Sequence, residues 1–264
     1  MSTRILPPTA SVAILSALFL GACATPSELP RGPGAVWDLV IIGDSSLWEL
    51  GEEYAAQIES DVGVEVVLHD FANQAGSAGE VLQVLQTQQS PNLRLEGLPG
   101  ILADAEVVVI FLNPEDSVNP QRPLDMYGCF LSTPPGTCDP ESFEQWTTDL
   151  KAIWAEIFRL RNGQPTILRA TDLYNPLVIP WVEHGVFETC TECWENMSDA
   201  ARLAAEAYGI PFLSRLDAFD GPNHDEDPRQ KGYIVSDGEH PTELAAEYTA
   251  ELLSKMGYEP VPQP

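Results

Sequence analysis

From Val36 to its C-terminus the chain alternates two hydrophobic rhythms. Short, nearly continuous apolar runs, "VWDLVIIG", "VEVVLHDF", "EVVVIFLN", "PTILRATD" and "IPFLSRL", read as strands buried on both faces. Between them lie stretches with helical spacing: Leu47 to about Ser60, "AGEVLQVLQTQ", "WENMSDAARLAAEAYG" and the final "PTELAAEYTAELLSKMG". The clearest period is Phe143, Trp146, Leu150, Ile153, Trp154, Ile157 and Leu160, which fall on one helical face at steps of three and four. Strands separated by helices predict a mainly parallel, five-stranded sheet covered on both faces, a three-layer α/β/α sandwich. Two long stretches, about Pro114–Pro140 and Asn175–Cys193, follow strand ends and read as loops shaping a substrate rim. No internal repeat or second domain boundary is evident.

The N-terminus departs from this rhythm. Arg4, an apolar run from Val12 to Leu20 too short to span a bilayer, and small residues before Cys23 read as an export signal over residues 1–22. Leu20-Gly21-Ala22-Cys23 resembles the lipobox of bacterial lipoproteins, which implies lipidation at Cys23 and a cell-envelope location, with the membrane contacted through that anchor. Residues 23–35, rich in Pro and Gly, are expected to be a flexible tether, with the folded domain over 36–264.

Charge narrows the partners. Against 40 acidic residues stand 13 basic ones, a net −27, so nucleic acid is excluded as a partner: phosphate binding needs clustered Lys and Arg. Besides Cys23 there are four cysteines, and an even number in an exported chain predicts disulfides. The local pairing Cys129–Cys138 and Cys190–Cys193 closes the shortest loops. "CTEC" could instead be a redox pair or half a zinc site, but it lacks the strand-to-helix context of the one and the spacing of the other. A calcium site in "GPNHDEDPRQKGYIVSDG" is conceivable, yet the ligand alternation of a calcium loop is missing, and no metal is expected. His69, His184 and His224 are expected to be surface or packing residues.

Four features can carry chemistry. Ser45 follows the first strand, where a parallel sheet exposes reactive groups, although Asp44 or Ser45 could simply cap a helix. Asp237 precedes His240 by three residues just before the last helix, so a carboxylate could hold an imidazole in the tautomer that deprotonates a serine. Asn113 ends the third strand and Gly76 follows the second, each placed to donate an N–H to an oxyanion. All four fall at one edge of the predicted sheet.

That order, Gly-Asp-Ser, then Gly, then Asn, then Asp-x-x-His-Pro, resembles the SGNH or GDSL-type hydrolase family from about Val36 to the last helix. The resemblance implies a flavodoxin-like fold and ester hydrolysis without a cofactor. It assigns the nucleophile to Ser45, oxyanion donors to the backbone of Ser45 and Gly76 and the side chain of Asn113, and the base pair to His240 and Asp237. The expected substrate is a small-molecule or carbohydrate ester, and the expected state a monomer. Two positions depart from the family pattern: Phe111 stands where glycine is usual and Pro114 follows Asn113, while Gly79 competes with Gly76. Phe111 keeps open a noncatalytic glycan- or lipid-binding role for the same pocket. Asp44 is expected to shape its loop, and Ser46 to be a bystander whose replacement by Ala spares most activity.

Overall fold

The structure, a computed structural model, describes residues 28–72, 77–89, 93–112, 114 and 143–264. Its five strands are β1 (Val36–Gly43), β2 (Glu65–Phe71), β3 (Val107–Phe111), β4 (Ile167–Thr171) and β5 (Phe212–Leu213), all parallel and ordered β2-β1-β3-β4-β5. This is the three-layer α/β architecture read from the sequence. Every residue of β3 and β4 is buried, which explains the unbroken apolar run "VVVIF". The order switches direction between β1 and β3, and that is where an open parallel sheet leaves a crevice beyond its carboxyl ends.

Eight helices are described: α1 (Leu50–Val62), α2 (Ala78–Thr87), α3 (Leu98–Asp104), α4 (Glu144–Arg161), α5 (Val178–Glu183), α6 (Phe187–Glu206), α7 (Arg215–Asp220) and α8 (Glu243–Lys255). α1 packs on α8, while α4 packs on α2, α3 and α6, giving the two outer layers. In α4 the predicted stripe faces the core, with Trp146, Ile153 and Ile157 wholly buried. Such burial contributes roughly 1.5–3 kcal/mol per large side chain.

Several boundaries differ from the sequence reading, each for a local reason. Ser45–Leu47 is a separate 3₁₀ turn, and α1 starts only at Leu50 because Glu49 adopts a left-handed φ of 64°. The segment Asn175–Cys193, expected as a loop, holds α5 and the start of α6; Pro180 sits in the first turn of α5, where its missing N–H costs nothing. α3 was not anticipated because Pro99 and Gly100 interrupt its pattern. The last strand stops at Leu213, since Ser214 caps α7 and the Asp172 carboxylate accepts the N–H groups of Arg215 and Leu216. Part of the expected tether is docked: Leu29 is buried, Pro30 accepts from the Trp37 indole, and Arg31 donates to the Tyr258 carbonyl.

Beneath the carboxyl edge lies Asp220, fully buried at the end of α7. Its Oδ2 accepts from the Asn175 N–H at 2.9 Å, and Oδ1 has no partner among the described residues. Desolvation pushes its pKa up to about 9, only partly opposed by the Asn175 bond and Lys231, and reinforced by Asp172 and Asp227. Native protein therefore keeps this proton while the unfolded chain loses it near the ordinary carboxylate range, so stability falls as pH climbs from about 4 toward 9. Asp220→Asn removes that dependence. Thermal melts should show its Tm advantage over wild type widening from pH 5 to pH 8; a constant difference would contradict the neutral buried carboxyl.

Candidate active site

β1 ends at Gly43, paired with Phe111 of β3. A Cβ at Gly43 would lie 2.5 Å from the Phe111 carbonyl oxygen and 2.5 Å from Leu47 Cδ1, so no other residue fits without parting the strands. The chain turns there. Asp44, in extended conformation, caps the 3₁₀ turn by accepting the Ser46 N–H at 2.9 Å, which bears out its loop-shaping role. Ser46 and Leu47 point inward and are buried, while Ser45, between them and the cap, stays partly open at the sheet edge.

The second half of the site is the loop before α8. It closes on itself: Ile234 bridges Pro241, the Val235 N–H donates to the His240 carbonyl, and the Thr242 N–H donates to Tyr233. Thr242 then caps α8. Gly238, at φ +86°, lets the chain curl so that Asp237 Oδ1 accepts the N–H groups of Glu239 (2.8 Å) and His240 (3.0 Å). Asp237 Oδ2 is 2.8 Å from His240 Nδ1. Those bonds, led by the Glu239 N–H and followed by the His240 imidazole and N–H, hold the Asp237 pKa down to about 2. The carboxylate can only accept, so Nδ1 carries a proton and Nε2 is left to accept in turn.

The two halves meet. His240 Nε2 lies 2.9 Å from Ser45 Oγ across 195 residues of sequence. Ser45, His240 and Asp237, the three residues singled out from the sequence, thus form one hydrogen-bonded chain. Gly76 and Asn113, the expected oxyanion donors, lie outside the described residues, as do Cys23, Cys129 and Cys138. Gly79, the competitor, is described, in the first turn of α2. His69, His184 and His224 make local bonds elsewhere, to Asp38, to the Pro180 carbonyl, and to Glu195 with Asp217. Cys190 and Cys193 are buried on α6 and neither is a free thiol. Among the described residues the one cluster of possible metal ligands is Glu53, Glu243 and Glu247 on α1 and α8.

Three neighbours of the site, Trp48, Arg215 and Tyr174, are absent from the sequence reading. Trp48 stacks on the His240 ring, centroids 4.3 Å apart and planes 11° from parallel. Arg215, only 2% exposed, donates to the Ser46 carbonyl at 2.6 Å and to Ser46 Oγ at 3.0 Å, so Ser46 is held in place by an arginine. The guanidinium rests on two rings, Phe111 at 5.4 Å and Tyr174 at 5.5 Å. This explains Phe111: it is buried beneath an arginine, where glycine would leave a gap. A lone Arg after an apolar run carries no signal of this kind; the Trp of "GDSSLW" could have been suspected from its place next to the serines.

No family model and no curated protein matches the sequence. Solved structures do match in fold. The lipase Lip_vut3 from a goat rumen metagenome superposes with a TM-score of 0.60 at 19% identity, covering 86% of this chain and 100% of its own. A lipase/acylhydrolase from Enterococcus faecalis gives a TM-score of 0.51 at 15% identity, again covering 86% and 100%. The chain therefore has the α/β fold that the resemblance to SGNH hydrolases implies.

The contact at Gly43 has a direct test. Gly43→Ala should cost about 1–3 kcal/mol through overpacking against β3, read as a lower urea midpoint. An unchanged midpoint would show that the strand end has room.

Proposed function

We propose that this chain is a serine esterase that hydrolyses short acyl or carbohydrate O-acyl esters. The observation that carries the reading is the Ser45–His240–Asp237 chain, with both contacts at hydrogen-bond length on one sheet edge. The two fold neighbours, a lipase and a lipase/acylhydrolase, support it. Phe111, the sequence feature that keeps a noncatalytic binder open, has a structural use beneath Arg215. The buried positions of Cys190 and Cys193 speak against thiol chemistry.

In the proposed mechanism His240 Nε2 takes the Ser45 proton as Oγ bonds to the ester carbonyl carbon. The negative charge on the carbonyl oxygen meets the Ser45 N–H, one of the donors that a helical first turn leaves unpaired, together with the Gly76 N–H and the Asn113 amide as further donors. As the tetrahedral centre collapses, the imidazolium protonates the departing alkoxide. Water, deprotonated by His240, then attacks the acyl-Ser45 carbonyl, and the carboxylic acid leaves with Ser45 restored. Asp237 orients the ring and stabilises the imidazolium; the flat face of Trp48 against that ring favours the same cation.

The mature chain, with residues 29–31 kept, should hydrolyse p-nitrophenyl acetate, and Ser45→Ala, folded by circular dichroism, should lose at least about 10³-fold in kcat. Equal rates would sink the proposal. Trp48→Ala should lower kcat/KM about fivefold while Trp48→Phe retains most of it, in line with a stacking contribution of about 1 kcal/mol. Equal activity in all three would remove Trp48 from the site.

We further propose export with lipidation at Cys23, and disulfides Cys129–Cys138 and Cys190–Cys193. Palmitate labelling lost in Cys23→Ser checks the first. Peptide mapping without reduction checks the second, since crossed pairs would tie the 115–142 segment to α6 instead.

A further inference from the structure

We infer that Arg215 and Tyr174 are positioning residues: together they form a buried brace that joins the Ser45 turn to the His240 loop and sets the gap between them. The inference rests on the esterase reading of this site and adds to it.

The two halves share no strand pairing. What joins them on one side is α1, which follows the Ser45 turn, packed on α8, which follows the His240 loop, with Trp48 stacked on the His240 ring. β1, which carries Ser45, pairs with β2 and β3, whereas the loop carrying His240 is bonded to itself. A buried element with a hold on each half would add to that packing in fixing the 2.9 Å contact between them. One continuous path supplies it. Arg215 Nη1 and Nη2 grip the carbonyl and Oγ of Ser46, the residue next to the nucleophile. The guanidinium lies 5.5 Å from the Tyr174 ring centroid, and the Tyr174 hydroxyl donates at 2.9 Å to the Glu239 carbonyl, next to His240. Both ends of the path thus stop one residue short of the reacting groups.

The brace is itself fixed. Arg215 Nε donates to Thr171 Oγ1 (3.1 Å) and to the Asp172 carbonyl (2.7 Å) at the end of β4. The Asp172 carboxylate, fully buried, takes the Arg215 and Leu216 N–H groups and the hydroxyls of Ser198 and Ser214. Tyr174 stacks on Phe219 of α7 at 5.0 Å. A fork of fixed geometry held this way cannot swing, so the position of β4 and α7 is transmitted to Ser46. Misplacement of reacting groups by about 1 Å can cost on the order of 10²-fold in rate with binding little changed. That is the behaviour that separates a brace from a purely structural network.

The test uses the full mature chain and small deletions that spare the guanidinium: Ser46→Ala removes one acceptor, Tyr174→Phe one hydroxyl. Each variant is checked by thermal melt and circular dichroism, then assayed with p-nitrophenyl acetate and by the rate at which an alkyl fluorophosphonate labels Ser45. The expected result is folded protein with kcat and labelling rate each down about tenfold and KM within about twofold of wild type. The double variant should lose less than the product of the single losses, because both deletions release one linkage. Arg215→Lys, which cannot grip both Ser46 acceptors, should fall at least as far. Folded Ser46→Ala and Tyr174→Phe proteins that label and turn over at the wild-type rate would overturn the brace alone. A wild type that neither labels nor hydrolyses the ester would overturn the esterase reading and this inference with it.

Discussion

A guanidinium withdrawn from water must keep its donors bonded and its charge balanced, and much of the carboxyl edge follows from meeting that demand for Arg215. Burial disfavours its charge; Tyr174, Asp172 and Asp44 favour it. The donors go to Ser46, Thr171 and a main-chain carbonyl, and two aromatic faces complete the shell. Residues that look unrelated in the sequence, such as Phe111 in one strand and Ser46 after another, are constrained by the same cation. Asp172 carries a matching demand, since burial raises its pKa and four donors counter that by stabilising the carboxylate.

The electrostatics of the two acids near the site differ in kind. Asp237 is exposed and owes its low pKa to hydrogen bonds made within its own loop. Asp220 is buried, with one bond to main chain, and holds its proton into alkaline solution. One is a permanent anion placed where an imidazolium would form; the other is a neutral group buried at the end of α7. Their contrast shows that exposure and bonding, not residue type, decide the charge.

The sheet, its parallel sense and the stripe of α4 were legible because burial on both faces leaves continuous apolar runs and a helical period. Ser45, Asp237 and His240 were legible because their chemistry is tied to strand ends and short spacings. The brace was not. Arg215 reads as the tail of a strand, since "IPFLSRL" is apolar enough to continue; what stops it is the Asp172 carboxylate, which is 43 residues away in sequence. α5 and α3 were hidden by prolines that a first helical turn tolerates. In each case a tertiary contact, or the tolerance of a helix end, outweighs the local pattern.

The self-closed loop around Gly238 also bears on how the molecule assembles. Its bonds span only a few residues, so the Asp237–His240 pair needs little chain entropy to form. The contact with Ser45 spans nearly the whole domain and closes only when β1, β4 and α7 are in register. The acid and base are a local product of the chain, the reactive assembly a global one; recovery of Ser45 reactivity during refolding would therefore report the completion of the last long-range contact.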